Sequence, residues 1–253
     1  MVKSSIELDS IDRPVTALDD EYPSGFVDDW HDHKRGQLIY AAKGVITIFV
    51  RKGSYVLPPQ RALWIPGGVE HMAKCRSDVS LRTLYIEADS MTKLPEKCRV
   101  IEVSELLRAL ILQAMKISAK YEYNSREDRI MRLIVDEIEV MPIEPLLIPM
   151  PSDKRLAAIC QSFLDDPTQG EDLTYWAEAA CMSRRTFTRL FRQETDMSFS
   201  EWRQHARLLE ALSRLSVGDP ITTVAFDVGY NSSSAFTSMF RRTFGVPPSK
   251  YFR

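Results

Sequence analysis

The C-terminal part of the chain contains one pattern of residues twice. The two copies are offset by 48 residues before a turn and by 49 residues after it. The matching positions are Leu173, Ala177, Cys181, Phe187, Phe191, Arg192 and Trp202 in the first copy and Ile221, Ala225, Gly229, Phe236, Phe240, Arg241 and Tyr251 in the second. A helix, a turn and a second helix account for this spacing, because apolar residues recur every three or four positions along a buried helix face. The repeat therefore predicts two helix-turn-helix units.

The first copy predicts a helix with a basic outer face. Leu173–Ala180 would form the first helix, Cys181 and Met182 the turn, and Ser183 the N-cap of the second helix. Burial of Phe187 and Phe191 leaves other side chains pointing outward: Arg184, Arg185, Thr188, Arg189 and Arg192. Arginines at the start of such a helix can pair with guanine or clamp phosphate in the major groove of DNA.

The second copy predicts a helix with a different outer face. Ile221–Val228 would form its first helix, Gly229–Asn231 the turn, and Ser232 or Ser233 the start of its second helix. The outward residues are then Ser233, Ser234, Thr237, Ser238 and Arg241. Short hydroxyl side chains read bases weakly, so we expect the first copy to supply most specificity and the second to grip phosphate. A helix over Ser200–Leu215 would hold the two units roughly 34 Å apart, one turn of DNA.

The chain as a whole is close to neutral, but its positive charge is concentrated in one segment. A formal net charge of −2 argues against general binding to polyanions. Between Arg184 and Arg207, however, the sequence holds six arginines against three acidic residues. A basic face in this segment is what binding to DNA at one surface requires.

The C-terminal segment closely resembles the DNA-binding domain of the AraC/XylS family of bacterial transcription regulators. The resemblance covers Leu156 to Tyr251 and the family's signature stretch, which continues to the end of the chain: Ile221, Val224, Ala225, Val228, Gly229, Tyr230, Ser234, Phe236, Phe240, Arg241, Arg242, Phe244, Gly245, Pro247, Pro248, Tyr251, Phe252 and Arg253. It implies groove contacts from Arg185, Thr188 and Arg189 in the first unit and from Ser233, Ser234, Thr237 and Ser238 in the second.

The N-terminal part of the chain has a β-rich pattern. Runs of β-branched and aromatic residues alternate with Gly and Pro at short intervals. The predicted strands are Gln37–Ala42, Val45–Arg51, Tyr55–Pro58, Ala62–Ile65 and Ser80–Ile86. Short strands at this spacing predict a small barrel or sandwich.

Helical spacing begins after Val103. Ser104 and Ser125 are positioned to cap two helices joined by a polar turn. Their apolar positions are Leu106, Leu107, Leu110, Ile111, Ala114 and Ile117 in the first helix and Ile130, Leu133, Ile134 and Ile138 in the second. This face would pack onto the barrel or form the seam of a homodimer, and the sequence leaves both interpretations open.

These patterns predict an α+β chain with an ordered series of parts. Residues 1–100 would form the barrel, 101–141 the helical hairpin with a possible role in dimerisation, and 153–253 the all-α domain with two helix-turn-helix units. Residues 142–152 belong to a proline-rich segment that predicts an extended linker, because proline disfavours helix at and before its own position.

Three histidines follow one pattern in the N-terminal region. Gly25, His31, His33, Gln37 and Gly44, with Pro66, Gly68 and His71 further along, resemble the two motifs of the cupins. That resemblance implies an RmlC-like β-barrel whose interior holds a metal between three histidines and a glutamate. Gln37 departs from the pattern, since the glutamate is usual there, and a neutral amide ligates metal more weakly. The cluster is therefore a candidate site for zinc, nickel or iron, or a lining for an organic ligand.

The same region resembles the NimR-like subgroup of AraC-type regulators that carry a cupin sensor. The resemblance spans about Phe26 to Ile86 and names no effector. The candidate effector pocket comprises Tyr40 and Trp64 with His31, His33, Gln37 and His71, and Phe49 and Trp30 are further aromatic candidates. Aromatic side chains on short strands also serve as plain core.

The sequence excludes several classes of protein. It has no apolar run of the roughly 18 residues needed to span a membrane, no signal-peptide pattern and no CxxC pair among its four cysteines. We therefore expect a cytoplasmic protein that is not an enzyme: a transcription regulator controlled by a small molecule or metal, with double-stranded promoter DNA, a second copy of itself and, for an activator, RNA polymerase as partners. The rival hypothesis is a metal-dependent cupin oxygenase or isomerase with appended helices.

Overall fold

The computed structural model describes residues 11–87, 94–144 and 146–251. The chain divides into two compact units: Met1–Arg51 with Tyr55–Leu147, and Lys52–Ser54 with Ile148–Arg253. Phe252 and Arg253 of the C-terminal pattern, residues 1–10 and 88–93 of the predicted barrel region and Pro145 of the proline-rich segment lie outside the described residues.

The N-terminal region contains two antiparallel sheets. The strands are β1 Val15–Tyr22, β2 Val27–His31, β3 Gly36–Lys43, β4 Ile46–Val50, β5 Gly53–Leu57, β6 Arg61–Ile65, β7 His71–Cys75, β8 Val79–Ile86, β9 Arg99–Glu102, β10 Ile143–Glu144 and β11 Leu147–Pro149. One sheet has the strand order β1-β8-β3-β6-β9-β10 and the other β11-β5-β4-β7-β2. The two sheets confirm the β-rich N-terminal half, and the proline-rich segment contributes two short strands to them.

A helical hairpin follows the strands, as predicted. Helix α1 spans Glu105–Ala114 and helix α2 spans Arg126–Val140. The hydroxyl of Ser104 accepts a hydrogen bond from the Leu107 amide, and that of Ser125 accepts one from the Asp128 amide. Both residues are therefore the N-caps that the sequence indicated.

The buried face of the hairpin packs onto a sheet of the same unit. Leu107, Ile111 and Ile134 belong to one buried apolar cluster that also contains Tyr40 and Trp64. Leu107, Ile111 and Ile134 therefore pack onto the barrel, which is one of the two interpretations of the apolar face that the sequence left open. Leu106 and Leu133 were assigned to the same face, but they are 50% and 40% exposed and lie on the outer side of the hairpin.

The C-terminal unit is helical. Its helices are α3 Lys154–Asp165, α4 Leu173–Ala179, α5 Arg184–Thr195, α6 Phe199–Ser216, α7 Ile221–Asp227, α8 Ser233–Phe244 and α9 Pro248–Tyr251. Ser183 caps α5 and Ser232 caps α8. The pairs α4–α5 and α7–α8 are the two predicted helix-turn-helix units, and α6 lies between them in sequence. No helix among the described residues has the length and apolar character of a membrane span.

Aromatic side chains fill the core of each helix-turn-helix unit. In the first, the Phe191 ring lies 5.8 Å from Phe187, 5.1 Å from Phe199 and 6.0 Å from Trp202, measured between centroids. In the second, the Phe240 ring lies 5.7 Å from Phe236 and 5.6 Å from Tyr251. Phe187 and Phe191 are stacked and the other pairs are edge-on, and rings in both arrangements add favourable contacts beyond the burial of their area.

Candidate nucleic-acid interface and candidate metal centre

The outward face of α5 carries the predicted basic residues. Phe187 and Phe191 are fully buried, which fixes the rotation of the helix. The side chains predicted to point outward are all exposed: Arg184, Arg185, Thr188, Arg189 and Arg192. Together with Leu173 and Gln193 they line one open surface. This is a basic face on a helix whose N-terminal turn is free to approach an anion.

The outward face of α8 is weakly charged. Ser234, Ser238 and Arg241 are exposed, whereas Ser233 and Thr237 are partly buried. The offset of 49 residues pairs the two faces position by position: Arg184 with Ser233, Arg185 with Ser234, Thr188 with Thr237, Arg189 with Ser238 and Arg192 with Arg241. Three arginines of α5 are thus serines in α8.

The backbone follows the repeat as closely as the core does. Cys181 and Gly229, at equivalent positions in the two turns, both have positive φ, 55° and 84°. The amide of the next residue donates to the carbonyl oxygen five residues back in each turn, Met182 to Ala177 at 2.8 Å and Tyr230 to Ala225 at 3.0 Å. A left-handed residue followed by such a bond is a common helix ending. The repeat therefore encodes the same turn twice.

Two arginines counted in the basic segment do not belong to the outward face. Arg207 donates through Nε to the Pro167 carbonyl at 2.8 Å and through Nη2 to that of Gln169 at 3.0 Å. Arg203 donates to the Glu171 carbonyl at 2.9 Å. Desolvation lowers the pKa of both guanidinium groups. These arginines hold the loop before α4, and the basic face is reduced to the arginines of α5.

The three histidines of the N-terminal pattern meet in the structure. His31 ends β2 and pairs with His71 at the start of β7. His33 follows β2 rather than lying within it, so alternation along one strand does not bring His31 and His33 together. One ring nitrogen from each of the three histidines lies within 4.8 Å of the others. This separation suits three ligands of a single metal ion.

The hydrogen bonds of the histidines leave one nitrogen of each available. Their Nδ1 atoms bond to backbone carbonyls: His31 to Asp29 at 2.7 Å, His33 to Arg35 at 2.8 Å and His71 to Val69 at 2.8 Å. A carbonyl partner keeps the proton on Nδ1 and the lone pair on Nε2, as in histidines that bind metal. Desolvation lowers the pKa of His71 to about 4, so this ring is neutral near pH 7 and able to ligate.

Gln37 completes the group. Its Oε1 lies 3.1 Å from His33 Nε2, and its amide nitrogen donates to the Tyr85 hydroxyl at 3.3 Å. With the proton of His33 on Nδ1, both Nε2 and Oε1 are acceptors and repel each other. Two arrangements reconcile them: a cation that both atoms ligate, or a Gln37 amide turned by 180°. The donor set of three imidazole nitrogens and one amide oxygen fits a divalent metal ion.

A cavity of about 210 Å³ lies beside this cluster. His31, Gln37 and His71 line it, with Asp20, Tyr22, Phe26, Asp28 and Tyr85 among the other lining residues. Sequence reasoning missed Asp20, Tyr22, Phe26 and Asp28, which lie on β1, on β2 or between them, because no strand was predicted over these residues. A cavity of this volume suits a small ligand.

Tyr40 and Trp64 do not line this cavity, which corrects their assignment to the effector pocket. Neighbouring residues on a strand point to opposite faces. Gln37 and Ile39 of β3 face the cavity, and Tyr40 therefore faces the hairpin, where it is buried with Trp64. Trp30 is 47% exposed, and neither it nor Phe49 is among the lining residues.

Comparisons with known proteins agree for both halves of the chain. Residues 176–253 match a helix-turn-helix domain family, and residues 14–134 match the AraC-like ligand binding domain. The chain is 35% identical over 221 residues to the HTH-type transcriptional regulator NimR of Escherichia coli strain K12, covering 87% of this chain and 81% of NimR.

Other similar proteins match more distantly. The arabinose operon regulatory protein of Salmonella typhimurium is 28% identical over 159 residues, 62% of this chain and 55% of that protein. Among solved structures, ToxT from Vibrio cholerae aligns over 95% of this chain and 98% of its own, with 10% identity and a TM-score of 0.40.

Proposed function

The chain belongs to the AraC family of transcription regulators, and from this premise we propose how its parts act. It is a DNA-binding regulator with an N-terminal ligand-binding domain. In our proposal α5 and α8 enter successive major grooves of promoter DNA. An effector in the N-terminal cavity favours one arrangement of the chain over another, which is a population shift.

The observation that carries the DNA proposal is the exposed basic face of α5. Arg185, Thr188 and Arg189 lie toward the N-terminal end of the helix, the end that contacts base edges in helix-turn-helix proteins. Arg184 and Arg192 flank them and reach the phosphates on either side. On α8, Ser233, Ser234, Thr237 and Ser238 contact the second groove, and Arg241 contacts phosphate. Base readout thus resides mainly in the first unit.

The histidine cluster is the proposed metal site. His31, His33 and His71 hold zinc, nickel or iron through Nε2, and Gln37 contributes its amide oxygen. The bound ion supplies a fixed positive charge at the wall of the cavity. The uncharged state of His71 and the carbonyl partners of all three Nδ1 atoms support this assignment.

A second copy of the chain is the proposed partner of the hairpin. Leu106, Leu133 and Val140 are 50%, 40% and 67% exposed on its outer side. These exposed apolar side chains lie on both helices, where the same face of a second copy can cover them around a two-fold axis. Where the chain activates transcription, RNA polymerase is a further partner. Because its proposed partner is promoter DNA, we infer that it acts in the cytoplasm.

The relatives are transcription regulators, which sets aside the cupin oxygenase or isomerase as the rival function. The histidine cluster is consistent with this outcome, because a metal in a ligand-binding domain serves recognition without turnover.

A titration of the purified chain against DNA tests the regulator. Labelled duplexes from upstream of its own and neighbouring genes are compared with random duplex over a range of salt concentrations. Tight binding that resists random competitor and falls steeply with salt is expected. Equal binding to all duplexes, with and without divalent metal, would contradict a sequence-specific regulator.

Calorimetric titration with Zn²⁺, Ni²⁺ and Fe²⁺ tests the metal site. The expected result is one ion per chain, abolished by His31→Ala. His205→Ala is the matched control, because it removes the histidine that lies outside the cluster. Loss of uptake in the control, or uptake that persists in His31→Ala, would contradict the assignment.

A further inference from the structure

The proposed metal site lacks an anionic ligand. Three neutral imidazoles and the amide of Gln37 leave a bound divalent ion with its full charge. The site is partly enclosed: Gln37 is 6% exposed, His33 8% and His71 1%. An uncompensated charge in such surroundings is unfavourable, so a carboxylate nearby would strengthen metal binding there.

Two carboxylates line the cavity, and one of them is close to the cluster. Asp28 Oδ2 lies 3.9 Å from His31 Nε2. That nitrogen is the one left free to ligate, since His31 Nδ1 bonds to the Asp29 carbonyl. The carboxylate of Asp20, on β1, forms a hydrogen bond with Tyr22 instead. Asp28 is therefore on the metal side of the His31 ring.

A β-bulge explains why Asp28 and His31 share this cavity. Residues three apart on a regular strand point to opposite faces. In the pairing of β2 with β7, Asp28 is opposite Ala73 and His31 is opposite His71, so β2 advances three residues while β7 advances two. The extra residue on β2 returns both side chains to one face. Both residues accordingly line the cavity.

We propose that Asp28 is the anionic ligand of the metal held by His31, His33 and His71. It takes the role that the cupin pattern gives to a glutamate at the position of Gln37. This inference rests on the proposed metal site. With bonds of about 2.0 to 2.2 Å, two ligand atoms of a tetrahedral ion lie roughly 3.4 Å apart. The observed 3.9 Å to His31 is about 0.5 Å longer, and Asp28 lies outside the group of ligand atoms within 4.8 Å of one another. To ligate, the Asp28 side chain, which is 53% exposed, must turn toward His33 and His71.

Metal titration of the full chain tests the role of Asp28 with a control from the adjacent residue. Asp28→Asn removes the charge and keeps the shape, and Asp29→Asn makes the same change at an exposed residue that does not line the cavity. For Zn²⁺ and Co²⁺ we expect the first variant to bind about 10- to 100-fold more weakly and the second to match the unaltered chain. The absorption spectrum of bound Co²⁺ should change only with Asp28→Asn.

A rescue variant tests whether the metal needs a carboxylate in the cluster. Gln37→Glu in the Asp28→Asn background restores a carboxylate to the cluster, and metal affinity should recover. Equal affinity in Asp28→Asn and Asp29→Asn, with unchanged Co²⁺ spectra, would overturn the role of Asp28 and leave the histidine site standing. Absence of metal uptake by the unaltered chain would overturn both the histidine site and the role of Asp28. The proposed binding to promoter DNA is tested separately and would still stand.

Discussion

The two helix-turn-helix units share a backbone and differ on their outer faces. Each turn has a left-handed residue at the same position and the same hydrogen bond after it, and α5 and α8 each end in a left-handed residue, Asp196 with φ 58° and Gly245 with φ 77°. On the outer faces, arginines of α5 are replaced by serines in α8. Packing within each unit constrains the buried positions and the turns. The outward positions are constrained only by the molecule that binds to them. The difference therefore bears on the DNA contacts proposed for the two units rather than on the fold.

Even the shared turn is not equally demanding in the two units. Cys181 has a side chain at its left-handed position and is exposed. At Gly229 a Cβ would lie 2.9 Å from the Pro167 carbonyl oxygen and 3.0 Å from the Arg207 guanidinium. The second turn thus packs closely against the loop that Arg207 holds, whereas the first turn is exposed at Cys181. Substitutions in the two units should separate these effects.

The largest effect is expected for Gly229→Ala. The substitution combines an unfavourable positive φ with contact against a backbone carbonyl, and we expect the helical unit to lose about 2 to 4 kcal/mol of stability. Thermal or urea unfolding followed by tryptophan fluorescence measures it, since Trp176 and Trp202 lie in this unit. Gly218→Ala is the control, because Gly218 has φ 97° with nothing within 4 Å of its added Cβ. Equal losses in the two variants would show that close packing at Gly229 contributes nothing.

Next in size is the effect of Arg189→Ala on DNA binding. If Arg189 pairs with a base, its loss should weaken binding to the specific duplex by about 1 to 3 kcal/mol and relax selectivity. Ser238→Ala, at the equivalent position of α8, should change affinity by less than about 1 kcal/mol, because a lone hydroxyl contact contributes less than a charged one. Fluorescence anisotropy on specific and random duplexes measures both. An equal loss of affinity for the specific and random duplexes would mean that Arg189 contacts phosphate rather than a base. A larger loss of affinity for Ser238→Ala than for Arg189→Ala would mean that base readout lies mainly in the second unit.

The reverse exchange, Ser238→Arg, should make the second unit resemble the first. A new phosphate contact would steepen the dependence of log affinity on log salt concentration by about 1 and strengthen binding to random DNA. The salt series on random duplex measures this slope. Asp166→Asn is a useful control because it also adds one unit of positive charge, but in the loop before α4 rather than on α8. An equal change of slope in the control would show that net charge, and not position, governs binding.

The helical unit was predictable because its signals are local. The caps Ser183 and Ser232, the two turns and the buried phenylalanines all follow from residues a few positions apart. The N-terminal region was predicted less completely. Strands β1, β2, β7 and β9 carry little periodic signal and are defined by distant pairing partners, such as Val15 with Ile86.

The candidate site in the N-terminal region shows the same limit. The histidines were predicted as a cluster because the cupin-like pattern specifies them together. Tyr40 was assigned to the wrong side of β3, because a strand that is buried on both faces has no polar alternation to identify the cavity side. Asp28 was missed because its position depends on a bulge, which involves both strands and leaves no mark in either sequence alone.

The smallest expected effect is that of Cys181→Gly, which gives the first turn the residue of the second. Glycine removes the unfavourable left-handed conformation of Cys181, while the greater freedom of glycine in the unfolded chain offsets part of that gain. The net result should be a stabilisation of the helical unit between roughly zero and 1 kcal/mol, with DNA affinity unchanged, because the side chain is exposed and lies outside the face of α5. Unfolding measurements on Cys181→Gly and Gly229→Ala under the same conditions compare the changes in unfolding free energy at the two turns. A loss of stability in Cys181→Gly comparable to that of Gly229→Ala would mean that the Cys181 side chain packs against its own unit. The two turns would then be less alike than their positive φ and common hydrogen bond indicate.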